Sequence, residues 1–429
     1  MMRLILPEID YSEGFSVNND IFLRQPLSKQ LESIVQRSSD DSLVLAINDE
    51  WGTGKSTFLK LWQAQIENDN ESNLKVIYFD AFKNDYQEDA FIALSSAIYP
   101  SIESKEQKIN YLAATKKAGA FLFKTTAKVA ISALTFGAVK EIGYEEAANE
   151  IKDSLNEPIE NFIEEKLLNA EKEVEVLNHF KTAITKAAEN KKIIFIIDEL
   201  DRARPDFSLD LIEKIKHVFK SKNIFFILAI NKSQFINVIK KRYGNIDAET
   251  YLSKFIHFWF SLPNHYDNQS RSQTISTFIN HINKTTPPNG DYNESLPLLA
   301  EILTLNNCSL RDAERCYSTL LIIAASGGSP ARVYQYATAI LVYLKIKKPE
   351  IFSKIKSKTT SVDEIERCIN IEKIQSAEKN YISSLIRTDM YNQEQLNNAL
   401  HNQERLLLKQ GDPILALREM LPFFDNMLP

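Results

Sequence analysis

The chain has 429 residues, 44% hydrophobic and 25% charged, with a formal net charge of −6. That composition excludes a disordered chain and fits two or three domains, one large enough for an α/β core. An acidic chain has no global field for phosphate backbones, which argues against indiscriminate nucleic-acid binding and leaves open a local basic patch.

Cys308, Cys316 and Cys368 form no CxxC pair, and the histidines form no HExxH. This pattern suits a reducing cytoplasm and argues against a disulfide framework or a structural zinc site. Met1 to Leu6 is apolar apart from Arg3, but polar residues follow too soon for a secretory core. No apolar run reaches the roughly 18 residues of a membrane span.

In chain order, the first stretch runs to about Asp40. It begins extended and continues as an amphipathic helix with Leu27, Leu31, Ile34 and Val35 on one face. Strands and helices then alternate. Ser42–Ile47 reads as a buried strand, followed by a Gly-rich turn and a helix over Ser56–Glu67. Lys75–Asp80, Lys192–Glu199, Ile224–Asn231 and His257–Pro263 read as four more strands. Apolar strands with helical connections predict a mostly parallel sheet covered on both faces, the α/β class.

Residues 101–190 interrupt that rhythm with a helical arm, lysine-rich from Lys105 to Lys140 and glutamate-rich from Glu141 to Glu175. Within it, Ala118–Val139 is mostly apolar but broken by Lys124 and Lys128. Three readings stand: a helix packed on protein, an interfacial membrane helix, or a span. A lysine at bilayer depth costs about 2.5–3.5 kcal/mol, which favours the first over a span. After Pro263 the chain reads as helical to its end, with turns at Pro287–Gly290 and Gly327–Pro330. The predicted division is a core of residues 1–100 and 191–265, an insertion of 101–190, and a C-terminal helical domain of 266–429.

Two motifs carry chemistry. Asn48–Thr57, "NDEWGTGKST", joins a buried strand to a helix, as a phosphate-binding P-loop does. Backbone N–H groups of Gly52, Thr53, Gly54, Lys55, Ser56 and Thr57 can wrap phosphates at a helix N-terminus. Lys55 supplies a charge to the β and γ phosphates, and the Ser56 hydroxyl can ligate Mg²⁺. The strict pattern asks for glycine where Asp49 stands; aspartate tolerates a left-handed turn better than most residues.

The second motif is the apolar strand ending in Asp198-Glu199. Asp198 is a candidate for holding Mg²⁺, and Glu199 for orienting or deprotonating the attacking water. Asn231 ends the next strand, where its amide would face the γ-phosphate or start a turn. "NKSQ" (Asn231–Gln234) resembles a guanine-reading motif but has Gln234 in place of the aspartate, which favours ATP over GTP.

Together these residues resemble the KAP family of P-loop NTPases. Trp51 within the loop is a family mark and joins the nucleotide-binding set. "FIIDELDRARP" (Phe195–Pro205), "YFDAF" (Tyr78–Phe82), Tyr251–Pro263, "SLRDAERC" (Ser309–Cys316) and Tyr343–Ile355 also resemble family elements. The resemblance implies a sheet of order 5-1-4-3-2 with a helical lobe over the nucleotide. It implies an Mg²⁺-dependent ATPase acting as a conformational switch with partner proteins, in bacterial systems of the anti-phage or plasmid-exclusion type. Many members carry membrane hairpins before the acidic motif; this sequence lacks true spans there.

Arg311 and Arg315 lie one helical turn apart. They read either as sensors of the γ-phosphate or as salt-bridge partners of Asp312 and Glu314. Arg202 and Arg204 read as contacts across the interface of a homo-oligomer, or as capping and paired residues within one chain. Competing functions are a nucleotide-gated scaffold with little turnover and a peripheral membrane sensor. A kinase is disfavoured, because no acceptor-binding feature is visible.

Overall fold

Five short apolar segments come together in the computed structural model as one parallel sheet. The structure describes residues 6–38, 42–122, 174–187, 191–263, 272–327, 331–374 and 378–424. In chain order the first part contains α1 (Gln25–Arg37), β1 (Val44–Asn48), α2 (Lys55–Asn68), β2 (Leu74–Asp80), α3 (Ala81–Asn84), α4 (Ala90–Ile98), α5 (Lys105–Leu122) and α6 (174–187). There follow β3 (Lys192–Asp198), α7 (Pro205–Lys214), β4 (Ile224–Ile230), α8 (Lys232–Tyr243), α9 (Ala248–Ser253) and β5 (Phe258–Phe260).

The strand order is β2-β3-β4-β1-β5, and every neighbouring pair is parallel. Read from the other edge this is 5-1-4-3-2, the order expected from the resemblance. The central strand β4 is buried along its whole length, as a strand covered on both faces must be. The short edge strand β5 is the most exposed of the five.

Side-chain alternation divides the core between the two faces. Leu45, Ile47, Ile194, Ile196, Phe225 and Ile227 pack under α1 and α2. Leu27, Leu31 and Val35 of α1 are buried there with Phe58, Leu59 and Trp62 of α2, and Ile34 is partly buried. The opposite face uses Ala46, Phe79, Phe195 and Phe226 against α4 and α7.

Helices α5 and α6, the described parts of residues 101–190, pack on that second face. Tyr111 and Ala114 of α5 and Phe180 and Ile184 of α6 belong to the same apolar cluster. Phe180 anchors it, with ring centroids 5.1 Å from Phe91, 5.5 Å from Phe219 and 5.9 Å from Tyr111. The apolar segment Ala118–Val139 lies outside the described residues beyond Leu122, as does the arm between α5 and α6. No helix among the described residues is long and apolar enough to cross a membrane.

Beyond Pro263 come α10 (Ser272–Thr285), α11 (Ser295–Leu305), α12 (Leu310–Ser326), α13 (Arg332–Lys347), α14 (Pro349–Ser357), α15 (Val362–Cys368), α16 (Lys379–Met390), α17 (Gln393–His401) and α18 (Ala416–Met420). Their apolar residues form a separate cluster around α13, which is buried along most of its length. The all-helical expectation needs one correction. An antiparallel pair, β6 (Leu408–Lys409) and β7 (Asp412–Pro413), precedes α18. Its turn places Gln410 and Gly411 at positive φ, which glycine adopts readily.

Candidate functional site

The loop from Asp49 to Gly54 joins β1 to α2 and sits at the carboxyl end of the sheet, where open α/β sheets form their binding crevice. Gly52 and Gly54 have φ of 80° and 94°, values that side-chain-bearing residues rarely adopt. Close packing also excludes a side chain there. A Cβ on Gly52 would lie 2.8 Å from Arg311 Cβ and 2.9 Å from Ser309 Oγ, and one on Gly54 would lie 2.9 Å from Arg24 Nη1.

Asp49 is not among the positive-φ residues, so the tolerance argued for it from sequence is not what admits it. Its Oδ1 accepts from Glu50 N at 2.8 Å. Burial raises its pKa, opposed by that hydrogen bond and by the charges of Lys55 and Arg24. The carboxylate is therefore tied to the backbone of the loop. Arg24, itself buried, supports the loop by donating to Thr53 O at 3.0 Å and to Pro263 O at 3.3 Å. Burial lowers its pKa to about 10.

Lys55 opens α2 and is only 8% exposed. Its Nζ donates to the carbonyl oxygens of Asp49 at 2.6 Å and Glu50 at 2.9 Å. Burial lowers its pKa, while Asp201, Asp49 and Asp198 favour the charged form. Ser56 and Thr57 follow in the first turn, where their backbone N–H groups lie at the helix N-terminus.

Asp198 ends β3 and is 2% exposed. Its Oδ2 accepts from Tyr78 Oη at 2.5 Å and its Oδ1 from Glu199 N at 2.9 Å. The same carboxylate pushes the Tyr78 pKa up, together with burial, which contributes most. Glu199 has φ 56°, a left-handed conformation that costs a non-glycine residue about 1–3 kcal/mol and concentrates at functional sites. It pairs with Arg202 at 2.9 Å. Burial raises its pKa, and Arg202 and Arg311 oppose that rise.

A magnesium ion suits this donor set. The Ser56 hydroxyl and Asp198 carboxylate offer hard oxygens, and each Asp198 oxygen, holding one hydrogen bond, retains a lone pair for a metal-bound water. Among the described residues no group of three His, Cys, Asp or Glu could hold a metal by itself. Any magnesium would therefore depend on waters and phosphates for the rest of its shell.

Asp201 joins the two motifs. Its Oδ2 accepts from Trp51 Nε1 at 2.5 Å and from Asn231 N at 3.0 Å. Asn231 does stand at the end of β4, between the motif strands. Its Oδ1 caps α8, accepting from Ser233 Oγ at 2.7 Å and Gln234 N at 3.3 Å. A phosphate contact would fall to its amide Nδ2. "NKSQ" is thus the start of a helix.

Arg311 comes from the helical lobe. Ser309 caps α12 in a capping box with Asp312, and Asp312 pairs with Lys347 at 3.0 Å. Arg311 is exposed, with its Cβ against Gly52 and its charge acting on Glu199. Arg315 is exposed one turn on. Arg204 donates to Gln87 O at 3.1 Å and its backbone N to Asp85 Oδ2 at 2.9 Å, contacts within the chain. A cavity lies between loop and lobe, bordered by Arg24, Asp49 and Thr53 on one side and Thr304, Asn307 and Ser309 on the other.

Sequence reasoning missed Tyr78, Arg24 and Ser309 as site residues. Tyr78 had a signal, because alternation along a strand ending near Asp198 can bring a tyrosine to its carboxylate. Arg24 had none, since it precedes a helix and its partners are remote in the chain.

Three solved structures match the chain at TM-scores below 0.5. The ORC1 protein of Aeropyrum pernix in complex with DNA is 13% identical, with a TM-score of 0.43 and 100% of each chain covered. The Cdc6p of Pyrobaculum aerophilum is 12% identical, with a TM-score of 0.44, 99% of this chain and 100% of that one covered. The ORC2 protein of Aeropyrum pernix, in ADPNP-ADP complexes, is 12% identical, with a TM-score of 0.39, 93% of this chain and 86% of that one covered. A comparison with curated proteins found no match. The KAP family P-loop domain matches residues 24–326, from the arginine that braces the loop to the end of the helix that carries Arg311. That stretch is well over half of the chain, and the protein belongs to the KAP family of P-loop NTPases.

Proposed function

We propose that the protein is an Mg²⁺-dependent ATPase that works as a conformational switch, its lobe position coupled to hydrolysis. The observation that carries this reading is the contact of Ser309 and Arg311 with Gly52. A lobe residue packed on the phosphate loop must respond when the loop closes on phosphates. The division into a core of 1–100 and 191–265, an insertion of 101–190 and a lobe of 266–429 belongs to the same reading. The separate apolar clusters of sheet and lobe support the boundary between core and lobe.

In this mechanism Trp51 and the loop amides from Gly52 to Thr57 bind the phosphates, and Lys55 turns from the loop carbonyls to the β and γ oxygens. Ser56 and Asp198 would hold the magnesium, whose charge would offset that of the phosphates. Glu199 orients the water and takes its proton. Asn231 and Arg311 read the γ-phosphate from the core and the lobe.

Arg311→Ala is expected to slow single-turnover hydrolysis about fivefold, the scale of an exposed charge contact near 1 kcal/mol. Unchanged hydrolysis would remove Arg311 from the site. ATP is the expected substrate, because Gln234 stands where a guanine-reading motif has its carboxylate. GTP binding as tightly as ATP in direct competition would refute that preference.

The cellular setting rests on the family resemblance alone: a cytoplasmic component of a bacterial anti-phage system, acting with other proteins of that system. Peripheral membrane contact is proposed from the apolar, lysine-broken segment Ala118–Val139, and a homo-oligomer from Arg202 and Arg204. A second reading, a nucleotide-gated scaffold with slow turnover, draws on the pairing of Glu199 with Arg202.

A further inference from the structure

A general base needs a lone pair within hydrogen-bond reach of the water it activates. Glu199 Oε1 instead lies 2.9 Å from Arg202 Nη1. The partner is local, since Arg202 N donates to Glu199 O at 3.1 Å and closes a tight turn between the two residues. The pair is also breakable: its side chains are 28% and 23% exposed, so solvent competes for both.

Arg202 has a second neighbour. Its guanidinium carbon lies 5.8 Å from the centre of the Trp51 ring, within range of a cation–π contact. Trp51 is tied to Asp201 through its indole N–H, and Asp201 to the backbone of Asn231. The arginine beside the base is therefore seated on the phosphate loop. The adjoining carbonyls of Asp49 and Glu50 hold Lys55, and those bonds must break when the lysine turns to phosphate.

We propose that Arg202 is a positioning residue that latches Glu199 away from the attacking water, with Trp51 holding the latch in register with the phosphate loop. Loop rearrangement on phosphate binding weakens the tryptophan platform without dissolving it, so in the ATP-bound state the carboxylate divides between Arg202 and the water. The inference rests on the reading of Glu199 as the base.

The test uses the full chain with ATP and Mg²⁺, and compares wild type, Arg202→Gln, Arg202→Lys and Glu199→Gln. Steady-state hydrolysis gives kcat and KM, and calorimetry gives ATP affinity and shows that each variant retains its site. Arg202→Gln is expected to raise kcat about two- to fivefold, the range a partly exposed ion pair can hold back, with KM little changed. Arg202→Lys, which keeps the cation, is expected to restore a rate near wild type. A rate in Arg202→Gln equal to or below wild type, with Glu199→Gln slow, overturns the latch alone. An equal rise in Arg202→Lys also overturns it, because the ion pair would survive there. Normal hydrolysis in Glu199→Gln removes the base itself, and the latch falls with it.

Discussion

Glu199→Gln is expected to slow single-turnover ATP hydrolysis by about 10²–10⁴, the usual cost of losing a general base, while ATP affinity is kept. Glutamine preserves the size and hydrogen-bonding reach of the side chain but cannot take a proton from water. It meets the same left-handed backbone at φ 56°, so the folding cost of that conformation is common to both proteins. The binding elements are elsewhere: Lys55, Ser56 and the loop amides lie on the β1–α2 connection, and Asp198 keeps its bonds to Tyr78 and to the backbone of residue 199. Removing a negative charge near the γ-phosphate favours nucleotide retention. The expected product is an ATP-loaded protein that turns over slowly, measured by rapid-quench hydrolysis beside equilibrium binding. Hydrolysis at the wild-type rate would sink the catalytic assignment and leave the scaffold reading in its place.

Lys55→Ala should weaken ATP binding by roughly 10- to 150-fold, the equivalent of about 1.5–3 kcal/mol for a hydrogen bond to a charged group. The lysine is the one side chain of the loop that can place a full positive charge on the β and γ phosphates. The structure also limits the size of the effect. The ammonium already donates to two loop carbonyls, so binding exchanges those bonds for phosphate contacts, and only the difference appears in the affinity. Alanine additionally leaves the carbonyls of Asp49 and Glu50 without that donor, which loosens the loop before any ligand arrives. Isothermal calorimetry of the variant with ATP and Mg²⁺ measures the loss. Affinity equal to wild type would mean that the loop is not the nucleotide site.

The sequence by itself determined the five strands, the turn between β1 and α2, and the acidic end of β3. These features are local: each strand shows as an apolar run bounded by polar or turn residues, and the glycines mark the positions where the backbone takes positive φ. Boundaries moved by one to three residues, as at β1, read as Ser42–Ile47 and observed as Val44–Asn48, and at β5, read as His257–Pro263 and observed as Phe258–Phe260. The strand order followed from the family resemblance, because which strand lies beside which leaves no mark in a single sequence, although the apolar runs and helical connections do mark a parallel sheet. Only the tertiary structure decided how the site is wired. Trp51 meets Asp201 across 150 positions of chain and Tyr78 meets Asp198 across 120. Ser309 and Arg311 reach Gly52 from another apolar cluster altogether. Such contacts have no period and no spacing rule. They exist because the sheet brings distant strand ends to one edge, where a buried carboxylate must find hydrogen-bond donors from whichever elements arrive there.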